Sequence, residues 1–181
     1  MNAIDITMID TITFAILAVI LLIAVISDIR LHKIRNWLTF PAMVVGIAYY
    51  SYIGGLEGLL FSATGIALGV VILMPFYFMG GMGAGDVKLM GAVGGMLGVK
   101  GVLVAFLCTA LVGGIWAIIL LTLHGHLKDT VKRYWMILKV LIFARSLNYV
   151  PPENKEKMPL MPYGVAIAIG TSLSVLRDVV M

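Results

Sequence analysis

Two aspartates stand where a carboxylate is hard to explain as surface charge. Asp28 closes an apolar run in Val25-Ile26-Ser27-Asp28-Ile29-Arg30. Asp86 sits in Gly80-Gly81-Met82-Gly83-Ala84-Gly85-Asp86-Val87-Lys88, between a long apolar stretch and a short one. Charge at membrane depth is costly, so such residues are functional candidates by default. Two carboxylates at one depth form a recognisable device. Both cannot ionise easily, so one keeps its proton while the other acts as a base. The base takes a proton from water, the water attacks a peptide carbonyl, and the protonated partner polarises the carbonyl oxygen. No metal and no nucleophilic side chain enters, and the reading includes no cofactor. Gly83 and Gly85 suit that use, because glycine lets the backbone turn sharply and come close to a substrate. Plainer roles stand beside this one. Asp28 as an interfacial residue paired with Arg30, and Asp86 as the N-cap of a following helix, are both ordinary uses of aspartate. A proton-coupled transporter would also hold intramembrane acids, and a non-catalytic scaffold would need neither.

What must position these residues is a set of membrane helices. The chain has 181 residues, 61% of them hydrophobic and only 12% charged, with a mean hydropathy of +1.07. Soluble domains run at about 45–50% apolar and about 25% charged. That excludes a disordered tail, a nucleic-acid reader and a soluble enzyme with an ordinary surface. The bilayer itself is the expected surrounding. Apolar stretches run over 11–27, 36–56, 58–85, 89–99, 101–123 and 158–176. The third is longer than a bilayer needs and is predicted to end as a helix near Met79. The fourth has only 11 uncharged residues. A short, glycine-rich helix can cross if it starts below the membrane surface among other helices. No basic n-region precedes the first stretch, so it reads as a permanent helix and not a signal peptide.

Lysine and arginine orient the spans. Arg30, Lys33 and Arg35 follow the first helix, and Lys88 follows the third. Lys128, Lys132, Arg133, Lys139, Arg145, Lys155 and Lys157 lie between the fifth and sixth. Thus 11 of the 13 basic residues occupy alternate loops, with Lys100 and Arg177 on the other side. The positive-inside rule makes those loops cytoplasmic and puts both termini outside. The alternation holds only if the short fourth stretch crosses, an independent argument for six helices. Asp28 then ends helix 1, and Asp86 follows helix 3, at the same cytoplasmic face.

The region 124–157 is broken by Lys139 and Arg145, so no part of it can span. At 100° per residue, Lys128, Lys132 and Lys139 fall within ~40° of one another, with Ile137 and Leu141 opposite and Leu138 and Ile142 on the flank between. The expectation is a basic amphipathic helix on the cytoplasmic membrane surface, ended by Pro151-Pro152. His124 and His126 alone do not make a metal site. The one cysteine, Cys108, excludes an internal disulfide framework. The whole reads as all-α: a single membrane-embedded domain over 1–181 with six transmembrane helices, helix 4 short, and the cytoplasmic helix.

These motifs resemble a known family. Gly83-Ala84-Gly85-Asp86 matches the GxGD signature of intramembrane aspartyl proteases, and Asp86-Val87-Lys88-Leu89-Met90 extends it in the manner of type IV prepilin peptidases. Asp28-Ile29-Arg30, followed by Lys33-Ile34-Arg35-Asn36-Trp37-Leu38-Thr39, resembles that family's first-aspartate segment. Pro162-Tyr163-Gly164-Val165-Ala166-Ile167-Ala168 resembles the Pro-x-Gly motif opening its last helix. The chain is similar to the short prepilin peptidases of tight-adherence (Flp-type) pili.

The resemblance implies Asp28 and Asp86 as the catalytic pair and Gly83 and Gly85 as shapers of the active loop. It implies Pro162 and Gly164 at the start of helix 6 near the site. Lys88 matches the family's usual lysine, with a topology anchor as its plainer role. The expected partner is a prepilin or pseudopilin with a basic leader and an apolar stem, cut after a glycine just before the stem. The expected location is a bacterial inner membrane, and the sequence leaves monomer and homo-oligomer open. Two departures matter. The family usually reads Ile-Pro-Asn where this chain has Ile34-Arg35-Asn36. Longer bifunctional relatives carry paired Cys-x-x-Cys motifs and also N-methylate the pilin; one cysteine here implies peptidase activity alone. The Tyr-Asp and Pro-Ala-Leu motifs of the presenilin branch are missing from this sequence.

Overall fold

The computed structural model describes residues 11–123 and 163–180. All of the described regular structure is helical: α1 (Thr11–Leu31), α2 (Asn36–Phe78), α3 (Ala84–Leu123) and α4 (Tyr163–Val180). The expected surface helix over 124–157 lies outside the described residues. By contact the chain divides into Met1–Gly113 with Pro162–Met181, and Gly114–Met161. The first unit holds both aspartates. Of the second, the last turns of α3 are described, and they expose Ile115, Trp116, Ile118 and Ile119.

Three helices, α1, α2 and α3, are long and apolar enough to cross a membrane, and α4 is a shorter apolar helix. The lengths of α2 and α3 call for explanation. At 1.5 Å per residue, 43 residues of α2 would reach about 65 Å and 40 residues of α3 about 60 Å. Both are roughly twice the ~30 Å of a bilayer core. Neither runs straight. Gly55 (φ 58°, ψ −130°) breaks α2 and Gly98 (φ 67°, ψ −173°) breaks α3. Both glycines hold positive φ, a region a Cβ makes expensive. The described chain therefore contains six helical segments. Their bounds follow the apolar stretches: α2 ends at Phe78 with Met79 as C-cap, and the Gly55 break falls within two residues of the expected division. The first helix runs one turn longer than expected, to Leu31, so Asp28 lies inside it.

The contacts show how the segments run. Along α3, Gly85 meets Ile34, Gly91 meets the end of Met43 and Gly95 carbonyl lies against Gly46, so the starts of α2 and α3 run side by side in the same direction. The second half of α2 returns: Gly69 meets Met90, Gly65 meets Gly94, and Ser62 Oγ donates to the Gly95 carbonyl at 2.8 Å. Tyr50 donates to the Met96 carbonyl at 2.8 Å. These hydroxyls satisfy carbonyls next to the Gly98 break, where a helix loses its own donors. In the second half of α3, Gly101 carbonyl accepts from Ser174 at 3.4 Å, while Thr109 lies against Gly170. The Gly55 and Gly98 breaks thus lie at one end of the bundle, and Ile34, Gly85 and Gly164 at the other.

The segment opening α3 is the core of this arrangement. It spans 14 residues to the break, about 21 Å, and is buried without interruption over 89–98. Leu89, Met90, Val93, Met96 and Leu97 are among its fully enclosed side chains. A segment too short to cross from surface to surface is here surrounded by other helices. Its approach to α2 is backbone on backbone. A Cβ on Gly65 would overlap the Gly94 carbonyl, and one on Gly94 would overlap the Gly65 carbonyl. Such small-residue contacts are how membrane helices pack closely. Gly65→Ala and Gly94→Ala are each expected to destabilise the fold by about 1–3 kcal/mol or more, because no rotamer can relieve a backbone clash. Thermal unfolding of purified protein checks this; an unchanged midpoint for both would contradict the packing.

Candidate active site

Asp28 occupies the last turn of α1 and Asp86 the first turn of α3. Both are buried, at 6% and 8% exposure, although the turn after Asp28 and the loop before Asp86 are largely exposed. Each is held in the same way. The Gly164 amide donates to Asp28 Oδ2 at 2.7 Å, and the Gly83 amide donates to Asp86 Oδ2 at 2.9 Å. Hydrogen bonds from a neutral amide to an ionised oxygen are among the stronger ones. Here they also fix which way each carboxylate faces.

The bond to Asp86 is local and follows from helix-end chemistry. Gly83 precedes the helix, Asp86 lies three residues on, and the Asp86 amide in turn donates to the Gly83 carbonyl at 3.1 Å. A side chain reaching back to the amide ahead of the helix is half of a capping box. Asp86 is therefore not the N-cap, as its plainer reading had it, but it does perform a related task with one oxygen. The bond to Asp28 is long-range: Gly164 lies 136 positions away, at the start of α4. Only folding can bring that amide to α1.

Ile34 joins the two halves. It is buried at 8% exposure. A Cβ on Gly85 would stand 2.8 Å from the Ile34 carbonyl oxygen and 2.9 Å from its Cβ; one on Gly164 would stand 3.1 Å from Ile34 Cδ1. The glycine beside Asp86 and the glycine bonded to Asp28 thus pack on the same side chain.

The link between Asp28 and Ile34 is the turn 32–35. His32 takes a left-handed conformation (φ 49°), its amide closing α1 on the Asp28 carbonyl at 2.8 Å. Ser27 Oγ donates to the Lys33 carbonyl at 2.8 Å. Arg35, which stands where related sequences have proline, is extended at φ −79° and ψ 144°. That φ is one proline itself would hold. The backbone angle at this position is thus one that proline could also adopt, and Arg35 adds a charge to the exposed side of the turn.

The sequence-derived candidates are thus brought together in part. Asp28, Asp86, Gly83, Gly85 and Gly164 lie in one cluster. Pro162 lies outside the described residues. Lys88 points elsewhere: its ammonium donates to Asn36 Oδ1 at 2.9 Å and lies 4.9 Å from the centre of the Phe40 ring. Ile34 and Asn36 enter the sequence reading only as members of the first-aspartate segment, without a role of their own, and Phe40 does not enter it. The signal for Asn36 is a lone amide opening an apolar helix; the packing role of Ile34 has no local signal beyond its place in that segment.

A buried pair of carboxylates, each oriented by a backbone amide, is equipped for general acid–base work on a bound water. The comparisons with known proteins agree with hydrolysis. Residues 15–118 match the profile of the type IV leader peptidase family. The chain is 32% identical over 114 residues to a prepilin leader peptidase/N-methyltransferase of Xanthomonas campestris. That alignment takes in 57% of this chain and 38% of the relative, so the chain spans well under half the relative's length. No solved structure matches. With more than half of the chain matched, including the turn from Asp28 to Asn36 and the loop that carries Asp86, this protein belongs to the type IV leader peptidase family.

Proposed function

We propose that this protein is a membrane aspartic endopeptidase that removes the short basic leader from Flp-type prepilins or pseudopilins. The observation that carries the reading is the pair itself: two buried aspartates from helices far apart in sequence, each oriented by a glycine amide, at one end of the bundle. With Oδ2 of each carboxylate engaged, Oδ1 is the oxygen left to handle the water. The ionised member takes a proton from that water as its oxygen attacks the peptide carbonyl. The neutral member donates its proton toward the carbonyl oxygen. The tetrahedral intermediate then collapses, the C–N bond breaks, and a proton passes to the leaving amine. The pair ends with one proton between its members, as it began.

Six crossings with both termini outside would put this end of the bundle at the cytoplasmic face, where the Lys/Arg-rich loops lie. A leader in the cytoplasm and a stem in the bilayer would present their junction there. Those loops are themselves basic, so recognition of a basic leader falls to the apolar stem and to the negative charge of the pair.

The test is cleavage of a small Flp-type prepilin by the purified protein in detergent or nanodiscs, with the new N-terminus read by mass. Expected is one cut after the glycine that precedes the stem, at a rate unchanged by EDTA. Loss of cleavage on chelation would sink the metal-free mechanism. Failure to cut any of a panel of prepilins and pseudopilins would sink the substrate assignment.

A further inference from the structure

We propose that Lys88 is a positioning residue: its ammonium, gripped by Asn36 Oδ1 and the Phe40 ring, fixes the Asp86 turn against the turn that follows Asp28 and so sets the separation of the two carboxylates. The inference rests on the peptidase reading and extends it to residues outside the pair.

The geometry is specific. Lys88 lies two residues beyond Asp86, half-buried, on the first turns of α3. Asn36 is the first residue of α2, two positions beyond Ile34. The contacts form a continuous path from one aspartate to the other: Asp86 to Lys88 along α3, Lys88 to Asn36 at 2.9 Å, Asn36 to Ile34 along the chain, Ile34 to Gly164, and Gly164 to Asp28 at 2.7 Å. No ion pair joins Lys88 to either aspartate among the described residues. Its charge is spent on the neighbouring helix.

A polar tether is needed here for a physical reason. The starts of α2 and α3 run side by side in the same direction, packed through apolar and glycine contacts. Such contacts are non-directional and hold two rods together better than they hold their axial register. A slip of one residue is about 1.5 Å, and a misplacement of about 1 Å can cost about a hundredfold in rate. A hydrogen bond from a cation to an amide oxygen has a narrow distance and angle. The ring of Phe40 under the same ammonium adds a second constraint. Both partners belong to α2, within its first five residues, so the tether acts where the register matters to Asp86.

The test compares Lys88→Met, Asn36→Leu, the double variant and Lys88→Arg in the full chain, with kcat and KM measured per folded enzyme. Hydrogen exchange across 80–90 is followed alongside. Lys88→Met and Asn36→Leu should each lower kcat roughly tenfold to a hundredfold, with KM nearly unchanged. The double variant should be no slower than either single, because one tether is being cut twice. Lys88→Arg, which keeps a donor and a cation over Phe40, should keep most of the rate. Exchange across 80–90 should quicken in both single variants. A loss of kcat in Lys88→Met that Asn36→Leu does not share would overturn the proposal and put Lys88 in contact with substrate. An unchanged kcat in both would overturn it in favour of a topology anchor. If the wild type cuts no prepilin, it is the peptidase reading that fails; the tether is then judged by exchange, and unchanged protection in both variants would overturn it.

Discussion

Asp28→Asn and Asp86→Asn are each expected to abolish leader cleavage, with losses of about a thousandfold or more, while the protein stays folded in the membrane. Asparagine keeps the size of aspartate and an oxygen that can accept the Gly164 or Gly83 amide. The scaffold contacts therefore survive, and what disappears is the proton chemistry. General acid–base groups are worth about 10²–10⁴-fold each, and two groups sharing one proton act as a unit. The double variant should then be no slower than either single. The pH–rate profile of the wild type should show two macroscopic steps belonging to the pair and not to either residue alone. The measurement is a gel shift of a co-expressed prepilin, with the membrane level of each variant equalised. Retention of cleavage within tenfold of wild type by either variant would remove that aspartate from the mechanism.

The second large effect is steric. A methyl group on Gly164 would stand 2.8 Å from Asp28 Oδ2 and 3.1 Å from both Asp28 Cβ and Ile34 Cδ1. Either the carboxylate rotates away or α4 withdraws, and both lengthen the 2.7 Å bond that orients Asp28. On Gly85 the obstruction is worse, because the nearest atom is the Ile34 backbone oxygen at 2.8 Å, which cannot swing aside. Gly164→Ala and Gly85→Ala are therefore expected to lower kcat by about a hundredfold, and Gly85→Ala to lower the thermal midpoint as well. Gly114→Ala is the matched control. Nothing lies within 4 Å of a Cβ there, and alanine is the better helix former, so cleavage should be unaffected. Equal rates for Gly164→Ala and Gly114→Ala would show that the glycine amide does not orient Asp28.

These expectations differ in how visible they were in the chain. Asp86 and its glycines form a contiguous motif whose local bond, Gly83 amide to Asp86, spans three residues. A motif of that length can be read directly, since helix-start geometry depends on neighbours in sequence. The Gly164 amide on Asp28 could not be read so. The sequence reading placed Gly164 near the site only as part of a motif opening the last helix, and assigned it no bond. Lys88 is a second case. The sequence reading gave it the family's usual lysine position, with a topology anchor as its plainer role, and could not show that its side chain reaches across to Asn36 and Phe40. In a helix, residues two apart point in different directions, so proximity in sequence is weak evidence of a shared site. Arg35 is a third case. As a break in a motif it cast doubt on the turn, but the backbone angle there is one that arginine and proline share.

The composition alone determined that the protein is built from apolar helices, because so little charge and so much apolar surface can be hidden in few other ways. The spacing of charges marked roughly where those helices divide, since a buried charge is expensive; that Gly55 and Gly98 make the breaks, through positive φ, came from the structure. The same spacing also marked the two aspartates that such a chain would otherwise avoid. Only the tertiary structure decided what each carboxylate faces: which amide holds it, that Ile34 packs against the glycines of both, and that Lys88 tethers α3 to α2. The reason is range. Helix formation and burial cost are set by residues within a few turns, whereas the site is assembled across 136 positions by contacts between helices that no local pattern encodes.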